Sequence, residues 1–138
     1  MTWNSLLLWL VVLPLVGMFV SIPFSDRIVR VIALVTSLVG VVLSVILFAQ
    51  FEGATGDQLQ MLFSVPWINE YGIRFGLGVD GLSLPLVCLT KWMVPIAIIA
   101  SWHEKQKVRA FMGCYLVLDS AMTGTFLATD IFLFYVFW

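Results

Sequence analysis

Lys91 and Asp119 stand inside long apolar stretches of a 138-residue chain that is 62% hydrophobic and only 11% charged. Each lies about nine residues into its stretch, ~14 Å from the ends of a helix that rises ~1.5 Å per residue. In antiparallel neighbouring helices the ammonium and the carboxylate therefore reach the same depth and can meet. Either charge left alone in hydrocarbon costs from about 3 to over 10 kcal/mol. Two chemistries answer that cost. The groups form a mutual ion pair, or neutral forms held by neighbours such as Thr90, Ser120 and Thr123, and serve packing; or they relay protons along a path through the membrane. Spacing alone does not choose between them.

Other residues with chemical potential point elsewhere. Gly76, Gly78 and Gly81 spell GxGxxG between a strand pattern and an apolar helix, which is formally a dinucleotide fingerprint. We reject a nucleotide site, because the helix it would open is a membrane span and no βαβ unit follows. The glycines instead release the strand, and Gly81 lets the chain turn into the membrane. Cys88 and Cys114 lie in apolar runs with no CxxC and no nearby His, so they read as small buried hydrophobes rather than as a disulfide or zinc framework. His103 beside Glu104 reads as a solvated interfacial residue. Asp80 and Ser83 occupy the N-cap and first turn of a helix expected from about Gly81. No catalytic, cofactor-binding or metal-binding residue is expected in this chain.

The elements that must position these groups follow from composition. Seven Lys or Arg and eight Asp or Glu residues cannot cover a soluble surface at this length, since a soluble domain carries roughly a quarter charged residues. The outside must face lipid. The fold class is an all-α polytopic membrane protein, a transmembrane helix bundle with a β-hairpin on its outer face. Apolar runs over 6–22, 28–51, 82–102 and 110–128 are each long enough to span, given the ~17–25 residues a crossing needs. A fifth run from Ile131 to Trp138 supplies roughly 12 Å of helix, less than half a crossing, so the sequence is expected to continue into something longer. The first run lacks a basic leader and a small-residue cleavage site and is expected to be retained.

Within the loop before the third span, Leu59, Met61, Phe63, Val65 and Trp67 alternate, and so do Ile73, Phe75, Leu77 and Val79. Asn69, Glu70, Tyr71 and Gly72 supply the turn, giving a hairpin over about 57–80 in which Pro66 fits an edge. Alone it is marginal, so it is expected to pack on helix ends or on a neighbour. Arg27, Arg30, Lys105, Lys107 and Arg109 fall on one side and Arg74 on the other, which places the N-terminus outside. Thr36, Gly40 and Ser44, and again Ser120, Gly124 and Ala128, form small-residue stripes where helices approach closely. Pro14 and Pro95 predict kinks. Two parts result: 1–109, with three spans, the hairpin and a basic inner loop over 103–109, and 110–138, with a fourth span and the start of a fifth. The net charge of −1 offers no surface for nucleic acid.

FGLGVDGLSLPL (75–86), MVPIAIIASW (93–102) and GTFLATDIFLFYVFW (124–138) together resemble the N-terminal part of the chain M family of NADH:quinone oxidoreductase. This is the NADH dehydrogenase subunit 4 family, the antiporter-like membrane subunits of respiratory complex I. The resemblance covers the chain, with about the first quarter matching only in hydropathy. It implies a subunit of about fourteen spans, with inverted repeats that each bear part of a proton path and begin after the third span. It places the first repeat's glutamate just beyond Trp138 and its partner lysine further on. Asp80 and Ser83 belong to the matched signature, whereas Lys91 and Asp119 match none of the family's channel positions.

The resemblance implies proton pumping coupled to electron transfer from NADH to quinone. It also implies the lipid bilayer and other membrane and peripheral subunits as partners, with FMN, iron–sulfur clusters and quinone held in those other subunits. Related subunits of Mrp-type cation/proton antiporters and membrane-bound hydrogenases share parts of the motifs, and a non-catalytic four-span anchor is a further alternative. With no Arg-rich amphipathic leader, a bacterial inner membrane is expected in preference to the mitochondrial one.

Overall fold

The computed structural model describes residues 3–51, 60–68 and 73–138. The elements run α1 (Trp3–Ser21), α2 (Asp26–Gln50), β1 (Gln60–Ile68), β2 (Ile73–Val79), α3 (Ser83–Ala100), α4 (Val108–Leu127) and α5 (Ile131–Phe137). The expected hairpin turn at Asn69–Gly72 and the expected start of the hairpin before Gln60, within 52–59, lie outside the described residues. Uninterrupted apolar sequence forms helix here because every backbone polar group is satisfied within the segment, the condition that hydrocarbon imposes. Polar or Pro-containing connectors end each one. α2, α3 and α4 are each long and apolar enough to cross a membrane, and α1 is a shorter apolar helix over Ser5–Ser21 in its fully described part.

α1 packs on α4 and α2, and α3 packs on α2 and α4, so the four long helices close around one interior. On α2 the buried positions Val29, Ala33, Ser37, Gly40, Ser44 and Leu47 recur every three or four residues and form one stripe. Val31, Val35, Leu38, Val42 and Val45 point the other way and are exposed, as a lipid-facing surface is.

The interior has three levels. One apolar cluster joins Leu6, Leu7 and Leu10 of α1 to Leu47, Leu84, Val87 and Leu127, together with Leu77 and Val79 of β2. A second joins Val29, Ala33, Val94, Ile98, Val108, Met112 and Leu116. Between them along α2, α3 and α4 lie Ser37, Ser44, Thr90, Lys91, Asp119, Ser120 and Thr123, all buried. Several of these polar groups make no demand on other helices. Ser37 Oγ donates to Leu34 O, Ser44 Oγ to Val41 O and Thr90 Oγ1 to Leu86 O, each within its own helix.

β1 and β2 pair antiparallel, with Phe63 opposite Leu77, Val65 opposite Phe75 and Pro66 opposite Arg74. Register shifts flank that stretch, and Met61 takes a left-handed φ of 53° beside one of them. The hairpin does not stand alone. Leu77 and Val79 are fully buried in the first cluster. On its other edge β2 receives the α4–α5 connection: Leu77 bridges Ala128, and Thr129 N–H donates to Gly76 O at 3.0 Å. A side chain at Gly76 would collide with Thr129, so this glycine serves close approach rather than phosphate binding.

Two expectations are corrected. Ala128 closes no stripe, because it lies beyond the end of α4 in extended conformation. The α2 stripe does mark close approach: Gly40 and Ser44 are buried, with Ser37 a further buried member, and the half-buried Thr36 sits against Gly17 of α1. Neither cysteine is a fully buried hydrophobe. Cys88 is half-buried with its Sγ 3.7 Å from Ser44 O, and Cys114 is exposed. Facing lipid costs a thiol little, so apolar sequence context does not report burial in a membrane bundle.

A buried charge pair at a broken helix

Lys91 and Asp119, each 1% exposed, meet at mid-bundle with Lys91 Nζ 3.0 Å from Asp119 Oδ1. They come together because α3 and α4 are adjacent, and their middle turns fall in the polar level between the two apolar clusters. The ammonium also donates to the backbone carbonyl of Leu10 on α1 at 2.8 Å. An intrahelical carbonyl is normally occupied by the N–H four residues on. Here that residue is Pro14, which has no N–H and whose ring crowds the preceding turn. The next carbonyl, Val11 O, takes the Ser120 hydroxyl at 2.7 Å. Pro14 thus frees the Leu10 carbonyl of α1, and polar groups from α3 and α4 occupy that carbonyl and the next one, Val11 O.

The fourth helix makes room. A Cβ built on Gly40 of α2 would lie 3.3 Å from Lys91 Cδ, so the bare glycine gives the lysine stem its passage to α1. Of the neighbours expected to hold the pair, Ser120 serves α1 and Thr90 its own helix. Thr123 alone stands beside the carboxylate, one turn further along α4. Thr123 Oγ1 and Asp119 Oδ2 are both buried and have no hydrogen-bond partner among the described residues. The sequence reading named the two charges and missed the part of Pro14, the Leu10 carbonyl and Gly40. Its signal was available: a proline inside an apolar helix marks the carbonyl four residues earlier as an acceptor in need of a donor.

Asp80 and Ser83 sit at the start of α3 and do structural work. Asp80 Oδ1 accepts from Ser83 N–H at 2.6 Å and Leu82 N–H at 3.1 Å, while Ser83 Oγ accepts from Asp80 N–H at 3.0 Å. This reciprocal exchange is a capping box. The helical hydrogen bonds already begin at Asp80, whose carbonyl accepts from Leu84 N–H, although regular helix starts at Ser83. The Ser83 backbone N–H on the carboxylate is the largest influence holding the Asp80 carboxyl below its ordinary pKa. Asp130 caps α5 in one direction only, accepting from Phe132 N–H at 2.8 Å.

An aromatic cluster then fixes α5 against the hairpin. Phe63 and Trp67 each meet Phe75 edge-on within the hairpin, and Trp67 reaches Phe132 and Phe75 reaches Phe137. Gly124 leaves space for the Phe137 ring. At the opposite end, the basic loop is tied down by Arg109 to Asp26 at 3.2 Å and by Arg30 to the carbonyl of Glu104. The GxGxxG residues lie on β2 and in the turn before α3, beside an antiparallel partner strand, which is not the parallel βαβ setting a dinucleotide needs.

Residues 6–129 match the family model described as NADH-ubiquinone oxidoreductase chain 4, amino terminus. The chain is 40% identical over 136 residues to "NAD(P)H-quinone oxidoreductase chain 4 2" of Thermosynechococcus vestitus, covering 94% of this chain and 26% of that protein. It is 37% identical over 142 residues to "NADH-quinone oxidoreductase subunit M" of Escherichia coli K12, covering 96% and 28%. It therefore spans about a quarter of the length of these curated relatives. Among solved structures it superposes on a chain of respiratory complex I from Thermus thermophilus with bound NADH, with a TM-score of 0.76 at 24% identity, covering 95% of this chain and 26% of that one. At that identity the likeness is one of fold.

Proposed function

The chain belongs to the NADH-ubiquinone oxidoreductase chain 4 family, as its amino-terminal portion, and on that premise we propose that it is part of a proton-translocating membrane subunit of NADH:quinone oxidoreductase. The observation that carries this reading is the match of the family model across 6–129, supported by relatives named for the same complex. Electron transfer from NADH to quinone belongs to companion subunits. Two cysteines and one histidine do not furnish the ligands of an iron–sulfur cluster, so FMN, the clusters and the quinone site are assigned to those partners.

This chain contributes a membrane bundle with a charged pair at mid-depth, where ionisable groups mark ion and proton paths. Lys91 and Asp119 are its candidates for exchanging protons, with a structural ion pair as the competing role. The clustering of Arg27, Arg30, Lys105, Lys107 and Arg109 at one end supports a cytoplasmic placement of that end, with the N-terminus and the hairpin on the outer face of a bacterial inner membrane.

The test is purification of the intact assembly from its membrane, followed by reconstitution into vesicles. We expect peripheral NADH-oxidising and iron–sulfur chains to copurify, and NADH with quinone to drive acidification. An intact assembly that lacks those chains and exchanges a cation for protons would overturn the reading in favour of a Mrp-type antiporter.

A further inference from the structure

We infer that Asp119 Oδ2 and Thr123 Oγ1 bind one resident water molecule inside the bundle, making the charge pair a hydrated site. Asp119 is 1% exposed and Thr123 fully buried, yet each has a polar oxygen that no described residue satisfies. Buried polar atoms in native proteins are almost always paired with protein or ordered water, and an orphaned one costs about 1–3 kcal/mol, more for a charged group. The two residues are one turn apart on the same face of α4, where side chains are neighbours. The two side chains are close enough to interact, yet neither oxygen meets a hydrogen-bond partner among the described residues, and one water between them satisfies both.

The chemistry of the site fits water. Oδ2 is an acceptor only when ionised, while the threonine hydroxyl both donates and accepts. A water donating to Oδ2 and accepting from or donating to Oγ1 satisfies both. The Lys91 ammonium can supply a third partner, since its named acceptors, Leu10 O and Asp119 Oδ1, use two of its three hydrogens. That is the two to four partners an internal water requires. A cation is disfavoured, because the ammonium already occupies the cationic position beside the carboxylate. If the chain moves protons as proposed above, Oδ2 is the oxygen through which the carboxylate exchanges them, because Oδ1 is held by lysine. The water's presence does not depend on that function.

The experiment is a high-resolution map of the intact complex in a lipid nanodisc, for the native chain and for Thr123→Val and Thr123→Ser. We expect a discrete water peak within ~3.2 Å of both oxygens in the native chain, loss of that peak in Thr123→Val and its retention in Thr123→Ser. A direct Thr123 to Asp119 hydrogen bond, or a side chain from elsewhere in the complex on Oδ2, overturns the inference. So does a peak that survives Thr123→Val. In parallel, a water O–H stretching band that shifts in H2(18)O and is absent from Thr123→Val supports it, and a native spectrum indifferent to the isotope counts against it. None of these outcomes depends on whether vesicles acidify, so failure here is distinct from failure of the proposed function.

Discussion

Exchanging the two membrane charges, Lys91→Asp with Asp119→Lys, is the natural test of whether they only pair, and the structure predicts that it fails even for a purely structural pair. The two positions are not equivalent. Lys91 Nζ bridges Asp119 Oδ1 at 3.0 Å and Leu10 O at 2.8 Å, so it joins three helices, whereas Asp119 joins two. At 3.0 Å and an effective dielectric of ~20 the charges attract by about 5–6 kcal/mol, which the desolvation of both ions largely offsets. Removing one partner exposes that offset. Lys91→Met should cost about 3–5 kcal/mol, at the upper end because it strands both the carboxylate and the Leu10 carbonyl.

Asp119→Asn keeps a neutral acceptor for the ammonium and should cost less, about 1.5–3 kcal/mol. The exchange replaces the α3 donor by a short acceptor, so Leu10 O stays without a donor and the gap to α4 widens. It should be no more stable than Lys91→Met. The assay is thermal dissociation of the intact complex in nanodiscs, with the subunits resolved as they are released. Native-like stability in the exchanged protein, or a larger loss for Asp119→Asn than for Lys91→Met, would refute the asymmetric role given to Leu10.

Pro14→Ala supplies the missing N–H, so the Leu10 carbonyl returns to its own helix and Lys91 loses an acceptor. The helix propensity gained is ~3 kcal/mol, and a net stabilisation well below that value in the same assay would report the lost ammonium bond. Gly40→Val should push the Lys91 stem aside and destabilise the native chain, yet cost much less in a Lys91→Ala background; equal costs in a double-mutant cycle would disprove the contact. Asp80→Ala should cost roughly 1 kcal/mol of helix stability through the lost cap. Because the folded Asp80 carboxyl lies below its unfolded pKa, its contribution is complete above the unfolded value and is lost as pH falls through the folded one. Asp80→Asn should therefore cap with less acid sensitivity, read from pH-dependent melting of the complex.

The legible part of the fold was that set by hydrocarbon. Apolar run length located the helices to within a few residues, and alternation located both strands, because each pattern reflects a single strong burial rule. The depth argument brought Lys91 and Asp119 to one level for the same reason. What the sequence withheld was azimuth. Nothing local states that Ser120 turns to α1 rather than to the charge pair, that Ser37 rather than Thr36 is buried, or that Cys114 is exposed. In a soluble helix the polar face reports rotation, but lipid and protein interior are alike apolar, so that signal vanishes. The third edge of the hairpin was hidden differently. Thr129 and Gly76 are far apart in sequence, and only the closure of α4 onto β2 makes them partners.

The layering of α2, α3 and α4 has an electrical meaning. Two apolar clusters, one toward the hairpin and one toward the basic loop, enclose the polar level between slabs of low dielectric. In an energised membrane the voltage drops across such slabs rather than across polar, polarisable material. A unit charge crossing the whole membrane gains or loses about 2.3 kcal/mol per 100 mV. A charge displaced between the Asp119 level and either face therefore traverses roughly half of that field, ~1.2 kcal/mol per 100 mV. If the pair exchanges protons as proposed, its ionisation is tied to the membrane potential, and measurements on detergent-solubilised protein sample it at zero voltage.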